Sequence, residues 1–348
     1  MEIGYFNARV RGLRASLFGA ADYEAFLKAA SEADYRELLK STPYGRHIAI
    51  AEARPGRAGD VIASAVKSNA VDTFKFLWET APVYLRAHMK TLYSAWEVFN
   101  LKAIIRGFAK DVRREEIRSV LVPAGEFDDA ALNVLLGAKD LADVARILET
   151  WGSPYAAALR DVSFAGRVNS FEIEMKLDLF ACGRLLNALK GRSADNGIIS
   201  GMLSLRIDAQ NIMTLLKTAG GEFSKEAIEG FFIEGGSLVN RRMFAQSAGT
   251  ENAQDILDAL AKGVRDKGFK DILSAADAPG AAAMEEAMDA AQEARLRKAA
   301  VTDPFTIALG AAFVYMKVRE IKNLRLIAKA KLLGIPPDEL KGLLIYRQ

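Results

Sequence analysis

The chain has 348 residues, of which 51% are apolar and 26% charged, and this balance excludes a disordered or low-complexity protein. Its 47 basic and 44 acidic residues leave a net charge of +3, which is too small for a protein that binds nucleic acid by neutralising phosphates. One cysteine and two histidines offer little for disulfides or metal sites, so we expect no metal and no cofactor.

Neither a signal peptide nor a membrane-spanning segment is predicted. The first 14 residues, MEIGYFNARVRGLR, contain no apolar core of signal-peptide length. The longest apolar run, residues 305–316, is about half as long as a bilayer requires. We therefore expect a soluble protein of a reducing compartment.

Helix-forming residues dominate the chain from one end to the other. Apolar residues recur at three- and four-residue spacing in residues 22–40, and over longer stretches in residues 84–108 and 305–333. Turn-forming residues interrupt these patterns at residues 42–45, 54–56, 220–221, 235–236 and 334–337. The sequence therefore predicts an all-α fold in which strands are at most marginal.

A unit of about 110 residues occurs three times, and its copies align without a gap on three asparagines, Asn100, Asn211 and Asn323. The acids three residues before them are Glu97, Asp208 and Glu320. The bases six residues after them are Arg106, Lys217 and Lys329. Each copy continues with an acid at +15, an aliphatic residue at +17 and an apolar triplet at +20 to +22. So many matches in class across three ungapped copies indicate a true repeat.

The length of this repeat predicts three domain-sized lobes. It exceeds the roughly 20 to 50 residues of a solenoid unit and suffices for a separate helical core. We expect three similar lobes around a pseudo-threefold axis, with repeats at residues 1–125, 126–236 and 237–348. A weaker similarity links residues 34–44 with residues 143–155, both of which end in a tyrosine.

The acid, the asparagine and the aliphatic residue at +4 share one face of a long helix. Two interpretations of this polar stripe remain open at this point. It is either a buried hydrogen-bond network that fixes helix register, or a polar wall that lines a central cavity. The later block of acid, aliphatic residue and triplet predicts a short helix that packs on the long one.

Motifs typical of enzymes are missing from the sequence. It contains no phosphate-binding G-x-x-x-x-G-K-[ST] loop, no G-x-G-x-x-G turn after a strand and no H-E-x-x-H. We expect His88 to be a structural histidine and His47 to lie at the surface. Scattered basic clusters suit a docking surface better than a nucleic-acid groove. An enzyme is therefore not expected.

Both ends of the chain resemble one family. The segments are YFNARVR at residues 5–11 and KVREIKNLR at residues 317–325, followed by IAK at 327–329 and GIP at 334–336. They look like the end signatures of the C subunit of the A-type/V-type rotary ATPases (ATP synthases), the counterpart of the d subunit of eukaryotic V-ATPases. One departure is Val318, because the family often has a second glutamate after the lysine.

This resemblance implies an all-helical, funnel-shaped, non-catalytic subunit of three similar lobes. It implies one copy per complex, peripheral on the cytoplasmic face of the membrane, with no bound nucleic acid. Its partners are the D and F subunits of the central stalk and the proteolipid (c/K/L) ring, between which it transmits torque for ATP synthesis or ion transport. The alternative is a generic helical scaffold that binds a protein partner in a central cavity.

Within this resemblance, we hypothesise that part of the repeated polar stripe and nearby bases contact the partner or line the cavity. The candidates are Glu97, Asn100, Asp208, Asn211, Glu320, Asn323, Arg325, Arg9 and Arg11.

Overall fold

The computed structural model describes residues 2–53, 61–160, 162, 164, 169–221, 223–275, 281–341 and 344. Regular structure in this part of the chain is helical, without a β-strand, and this confirms the predicted all-α class. One isolated bridge pairs Ala124 with Phe127. Every helix within the described ranges is too short or too polar to span a membrane.

The helices follow one another along the chain with short connections. They are α1 (Ile3–Ala15), α2 (Ala20–Lys28), α3 (Glu32–Lys40), α4 (Gly45–Glu52), α5 (Val61–Thr80), α6 (Arg86–Ala109), α7 (Arg114–Val120), α8 (Asp129–Leu136), α9 (Leu141–Thr150), α10 (Ala156–Leu159), α11 (Ser170–Ala188), α12 (Ala194–Thr218), α13 (Lys225–Gly230), α14 (Arg241–Ser247), α15 (Ala253–Gly263), α16 (Lys267–Ala275), α17 (Ala281–Thr302), α18 (Ala308–Leu333) and α19 (Pro337–Lys341). A 3-10 turn, Val83–Leu85, precedes α6.

Each repeated asparagine lies on a long helix, α6, α12 or α18, of 24, 25 and 26 residues respectively. A short helix follows each of them, namely α7, α13 and α19. The acid at +15 lies in the first turn of this short helix, where the helix dipole favours negative charge. The aliphatic residue at +17 is buried in all three copies. Since α7 packs on α6 and α13 on α12, the predicted short docking helix is confirmed in the first two copies.

Buried apolar residues form three clusters. One runs from Val98 to Ala181 and a second from Ile212 to Met288. The third joins N-terminal residues such as Phe6 to C-terminal residues such as Leu324, and it includes part of α11 and α12. Each cluster draws on residues from both sides of a predicted repeat boundary, so the division at residues 125 and 236 stays a prediction about the sequence unit.

Both histidines are buried. His88 Nε2 lies 2.6 Å from Asn196 Oδ1, as expected of a structural histidine. The prediction that His47 lies at the surface is wrong, because α4 packs against α5 and covers it. Burial lowers the pKa of His47, although its Nε2 lies 3.8 Å from Asp72.

The start of the chain packs closely against α18. The Asn7 side chain donates to the carbonyl oxygens of Pro304 at 2.7 Å and of Thr306 at 3.2 Å. The fully buried ring of Phe6 covers Gly310, and a Cβ atom added at that glycine would lie 2.8 Å from the ring. Only a glycine therefore permits this approach of α1 to α18.

We expect Gly310→Ala to lower the free energy of unfolding by about 1–3 kcal/mol, because the added methyl group overpacks the contact with Phe6. The matched control is Gly12→Ala, on the exposed side of α1 with no atom within 4 Å of the added Cβ. There the better helix propensity of alanine should stabilise the protein by up to about 1 kcal/mol. Urea unfolding measures both, and equal effects of the two substitutions would contradict the packing argument.

Candidate partner-binding cavity

All three repeated asparagines are buried, and the first two bind backbone. Asn100 Nδ2 donates to the carbonyl oxygen of Val122 at 2.7 Å, and Asn100 Oδ1 accepts from the amide of the same residue at 2.9 Å. Val122 is the last residue of the apolar triplet, at position +22. We call this two-bond contact the asparagine clamp. It joins the middle of a long helix to the segment after the short helix.

The second copy repeats the asparagine clamp. Asn211 bonds to both the carbonyl oxygen and the amide of Ile233, each at 2.9 Å. In the third copy the corresponding residue, Ile345, lies outside the described residues, while Asn323 is buried. In the first two copies the clamp joins two residues that are 22 positions apart in sequence. This explains why the triplet follows the asparagine at the same spacing in each of them.

The acid of the first copy binds the chain that follows. Glu97 is 5% exposed, and it accepts from the amide of Glu126 at 2.8 Å and from the Tyr155 hydroxyl at 2.6 Å. Burial raises the pKa of this carboxyl, although both donors oppose the rise.

In the second copy a loop encloses the acid. Asp208 accepts from the amides of Ser237, Leu238 and Val239 and from the Ser237 hydroxyl, at 2.9–3.1 Å. Burial also raises the pKa of Asp208, against the effect of these donors. No tyrosine is needed here, because the loop itself supplies the donors.

In the third copy, the partners of the acid come from the start of the chain. Glu320 accepts from the amide of Phe18 at 2.8 Å and from the Tyr44 hydroxyl at 2.7 Å. Lys317 Nζ lies 2.8 Å from both the carboxylate and the Tyr44 oxygen. Burial raises the pKa of Tyr44 and lowers that of Lys317. Tyr44 thus serves Glu320 as Tyr155 serves Glu97, which explains the similarity of residues 34–44 and 143–155.

Because these three acids and three asparagines are between 0% and 5% exposed and sit among the helices, the structure places them in buried networks. None of the six is among the residues that line the cavity described next. Their contact with a partner stays a prediction.

A cavity of about 510 Å³ lies between α6, α12 and α18. The three helices line it with the same positions of the repeat, counted from the asparagine. These residues are Ala95, Arg206 and Val318 at −5; Val98, Ala209 and Ile321 at −2; Phe99, Gln210 and Lys322 at −1; and Lys102, Met213 and Arg325 at +2. Parts of α11 and α17 complete the wall. The three copies therefore turn the same helix face toward one space, which we call the central cavity.

Cations outnumber anions around the central cavity. The acidic lining residues are Asp178, Asp289 and Glu293, and the basic ones are Lys102, Arg106, Arg206, Lys217, Arg319, Lys322 and Arg325. Each acid is already paired: Lys102 binds Asp178, Arg319 binds Glu293 and Lys322 binds Asp289. Arg106 binds Glu174, outside the lining. The remaining charge is positive, and it suits an acidic ligand.

Of the predicted contact residues, Arg325 alone lines the central cavity. Arg9 and Arg11 lie exposed on α1, and the Arg9 guanidinium is 4.9 Å from the centre of the Phe76 ring. Sequence reasoning missed Arg206, because its position holds an alanine in the first copy and a valine in the third. Lys217 was visible as the base at +6 but was not taken as a cavity residue.

We expect Asn211→Ala to lower the free energy of unfolding by about 2–4 kcal/mol, because it leaves the buried amide and carbonyl of Ile233 unpaired. Gln210→Ala is the matched control, since its half-buried side chain makes no hydrogen bond within the described residues. Thermal and urea unfolding compare the two. A loss no larger than that of the control would show that the asparagine clamp adds nothing to stability.

The raised pKa of Glu97 predicts a pH dependence of stability. The folded protein keeps this proton to higher pH than the unfolded chain, so the free energy of unfolding falls as pH rises from 4.5 through the raised pKa. Glu97→Gln cannot titrate, and its stability relative to wild type should therefore improve from pH 4.5 to pH 8. Urea unfolding at several pH values measures this difference. Glu115→Gln, an exposed site, controls for the loss of one carboxylate, and a flat difference for Glu97→Gln would refute the assignment.

Comparison with known proteins confirms the resemblance seen at the ends of the chain. Residues 6–343 match the model of the ATP synthase (C/AC39) subunit family. The C subunit of the A-type ATP synthase of Halorubrum lacusprofundi is 29% identical over 98% of this chain and 97% of its own length. That of Haloferax volcanii is 28% identical with the same coverage, and the C subunit of the V-type ATP synthase of Deinococcus radiodurans is 25% identical over 98% of this chain and 90% of its own length. The chain belongs to the ATP synthase (C/AC39) subunit family, a structural rather than catalytic component of the ATP synthase complex.

Proposed function

We propose that this chain is the central-rotor subunit that couples the D–F axle of an A/V-type ATPase to its proteolipid ring. In this proposal one copy lies on the cytoplasmic face of the membrane, held there through the ring. It transmits torque for ATP synthesis or for ATP-driven proton or sodium transport, and it makes and breaks no bonds itself. Its three similar lobes surround a pseudo-threefold axis and form a funnel that receives the tip of the axle.

The observation that carries this proposal is the central cavity. Equivalent faces of α6, α12 and α18 line it, so the sequence repeat converges on one space. Its volume of about 510 Å³ is enough for a few side chains, which suits the tip of a partner rather than a whole helix bundle. The surplus of positive charge in the cavity attracts a tip that carries acidic side chains.

Torque transfer requires a rigid joint, and the buried networks supply rigidity. The asparagine clamp ties each of the first two long helices to chain 22 residues further on. Glu320 ties the third long helix to Phe18 and Tyr44, near the other end of the sequence. A load applied to α18 therefore passes into helices from both ends of the chain, through contacts that resist deformation because they are buried and satisfied.

Photo-cross-linking in the assembled complex tests this function. A Gln210→Cys variant, labelled at the new thiol with benzophenone maleimide, places the probe in the wall of the central cavity. The native Cys182 is buried and burial raises its thiol pKa to about 11, so it should remain unlabelled. We expect cross-links to the D–F axle.

The matched control is Glu149→Cys, at an exposed position of α9 outside the cavity lining. It should give no cross-link to D or F. Cross-links from Gln210→Cys to stationary subunits alone, or to neither D nor F, would overturn the rotor assignment.

A further inference from the structure

We propose that the guanidinium group of Arg325 binds a carboxylate of the protein segment that enters the central cavity. This inference rests on the proposed function, since it takes the tip of the axle as the occupant. It adds the chemistry of that tip, which must present an Asp or Glu side chain toward α18. The argument starts from the hydrogen bonds that Arg325 lacks.

Arg325 lines the central cavity at the +2 position of the third copy. Its Nε and Nη2 atoms are shielded from solvent, yet neither has a hydrogen-bond partner in the part of the chain that the structure describes. No carboxylate of the described residues forms an ion pair with it, and burial lowers the pKa of the group without an acid to oppose the shift. A guanidinium nevertheless stays charged at neutral pH. An unpaired charge in this position is a cost that a ligand can remove.

The acids that share the central cavity with Arg325 are already engaged. Asp178, Asp289 and Glu293 each pair with a different lysine or arginine. Lys67 is a second cation near Arg325, and the charge of Arg325 helps to lower its pKa. Lys67 is already paired with Asp129. The described residues therefore supply no counter-charge for Arg325, and the proposed partner segment would bring one.

The Nε–Nη2 edge of Arg325 has the geometry that a carboxylate needs, and because the chain covers these two atoms, the side chain must turn this edge toward the central cavity to bind. Nε and Nη2 lie side by side on the guanidinium plane and can donate two parallel hydrogen bonds to one carboxylate. Arg106, in the wall of the same cavity, uses these two atoms to bind both oxygens of Glu174. Arg325 presents the same donors with no acceptor.

Apolar lining favours a protein segment over a free anion. Trp96, Phe99, Met213 and Val318 surround the cations of the central cavity. A small anion would leave these surfaces in water, whereas a helix tip with apolar and acidic side chains covers both kinds of surface. Arg206 and Lys217, which also lack an ion pair within the described residues, extend the positive surface toward α12.

The test compares two variants that each remove one positive charge from α18. Arg325→Met removes the unpaired guanidinium, and Lys329→Met removes an exposed charge four residues later, outside the cavity lining. Isothermal titration calorimetry measures binding of the full-length chain to the purified D–F pair. We expect Arg325→Met to weaken binding about ten- to hundredfold, as for the loss of a charge-assisted hydrogen bond, and Lys329→Met to change it less than twofold. Arg325→Lys should restore part of the loss.

The melting temperature of Arg325→Met distinguishes the proposed binding role from a purely structural role. Since the side chain has no partner among the described residues, Arg325→Met should melt at the same temperature as wild type or higher. A melting temperature well below wild type, with binding lost in proportion to folded protein, would overturn the inference.

Two further outcomes separate this inference from the proposed function. If wild type binds D–F and Arg325→Met binds equally well, the pairing at Arg325 falls while the rotor assignment stands. If the wild-type chain does not bind the D–F pair at all, the rotor assignment is overturned, and the inference that rests on it is overturned with it. A last measurement uses inorganic phosphate. If phosphate raises the melting temperature of wild type but not of Arg325→Met, and the variant binds D–F with unchanged affinity, Arg325 belongs to a small-anion site and the inference is overturned.

Discussion

The asparagine clamp is the interaction on which the repeat depends. A side-chain amide carries an NH2 donor group and a carbonyl acceptor side by side, so it can pair with the carbonyl and the amide of a single residue. Val122 and Ile233 are buried and their backbone groups find these partners on the long helix. An aspartate would lack the donor and a leucine would lack both. This explains why an asparagine stands at this position of the first two copies.

The acid three residues before the clamp extends the same principle to the next segment of chain. Glu97 binds residues 29 and 58 positions later, whereas Glu320 binds Phe18 and Tyr44, near the other end of the sequence. The first helices thus complete the third copy, and the hydrophobic cluster that joins Phe6 to Leu324 follows the same route. Residues that are far apart in sequence become one mechanical unit, which suits the torque transfer proposed above.

Sequence periodicity and the repeat were enough to predict the long helices, the short docking helices and a polar stripe, because those features keep the same class of residue in every copy. Only the three-dimensional structure distinguishes a polar stripe that forms a buried network from one that lines a cavity. The cavity positions escaped notice because their residue types differ: position −5 holds Ala95, Arg206 and Val318. The burial of His47 also depends on a tertiary contact, the packing of α4 on α5, which local sequence does not contain.

Residue classes are kept at the network positions and vary at the cavity positions, and this contrast has a physical meaning in the proposed rotor. Network positions bind groups of the chain itself, such as backbone amides and tyrosine hydroxyls, so residues of the same class serve the three copies. Cavity positions face a partner, and at +2 the three copies offer a lysine already paired with Asp178, a neutral methionine and an unpaired arginine. A wall with three equivalent binding positions would accept an axle in three orientations of equal energy, and the axle could slip between them under load. A wall with an unpaired guanidinium at the +2 position of one copy favours a single orientation, because only at that copy does a carboxylate of the axle meet a counter-charge at +2.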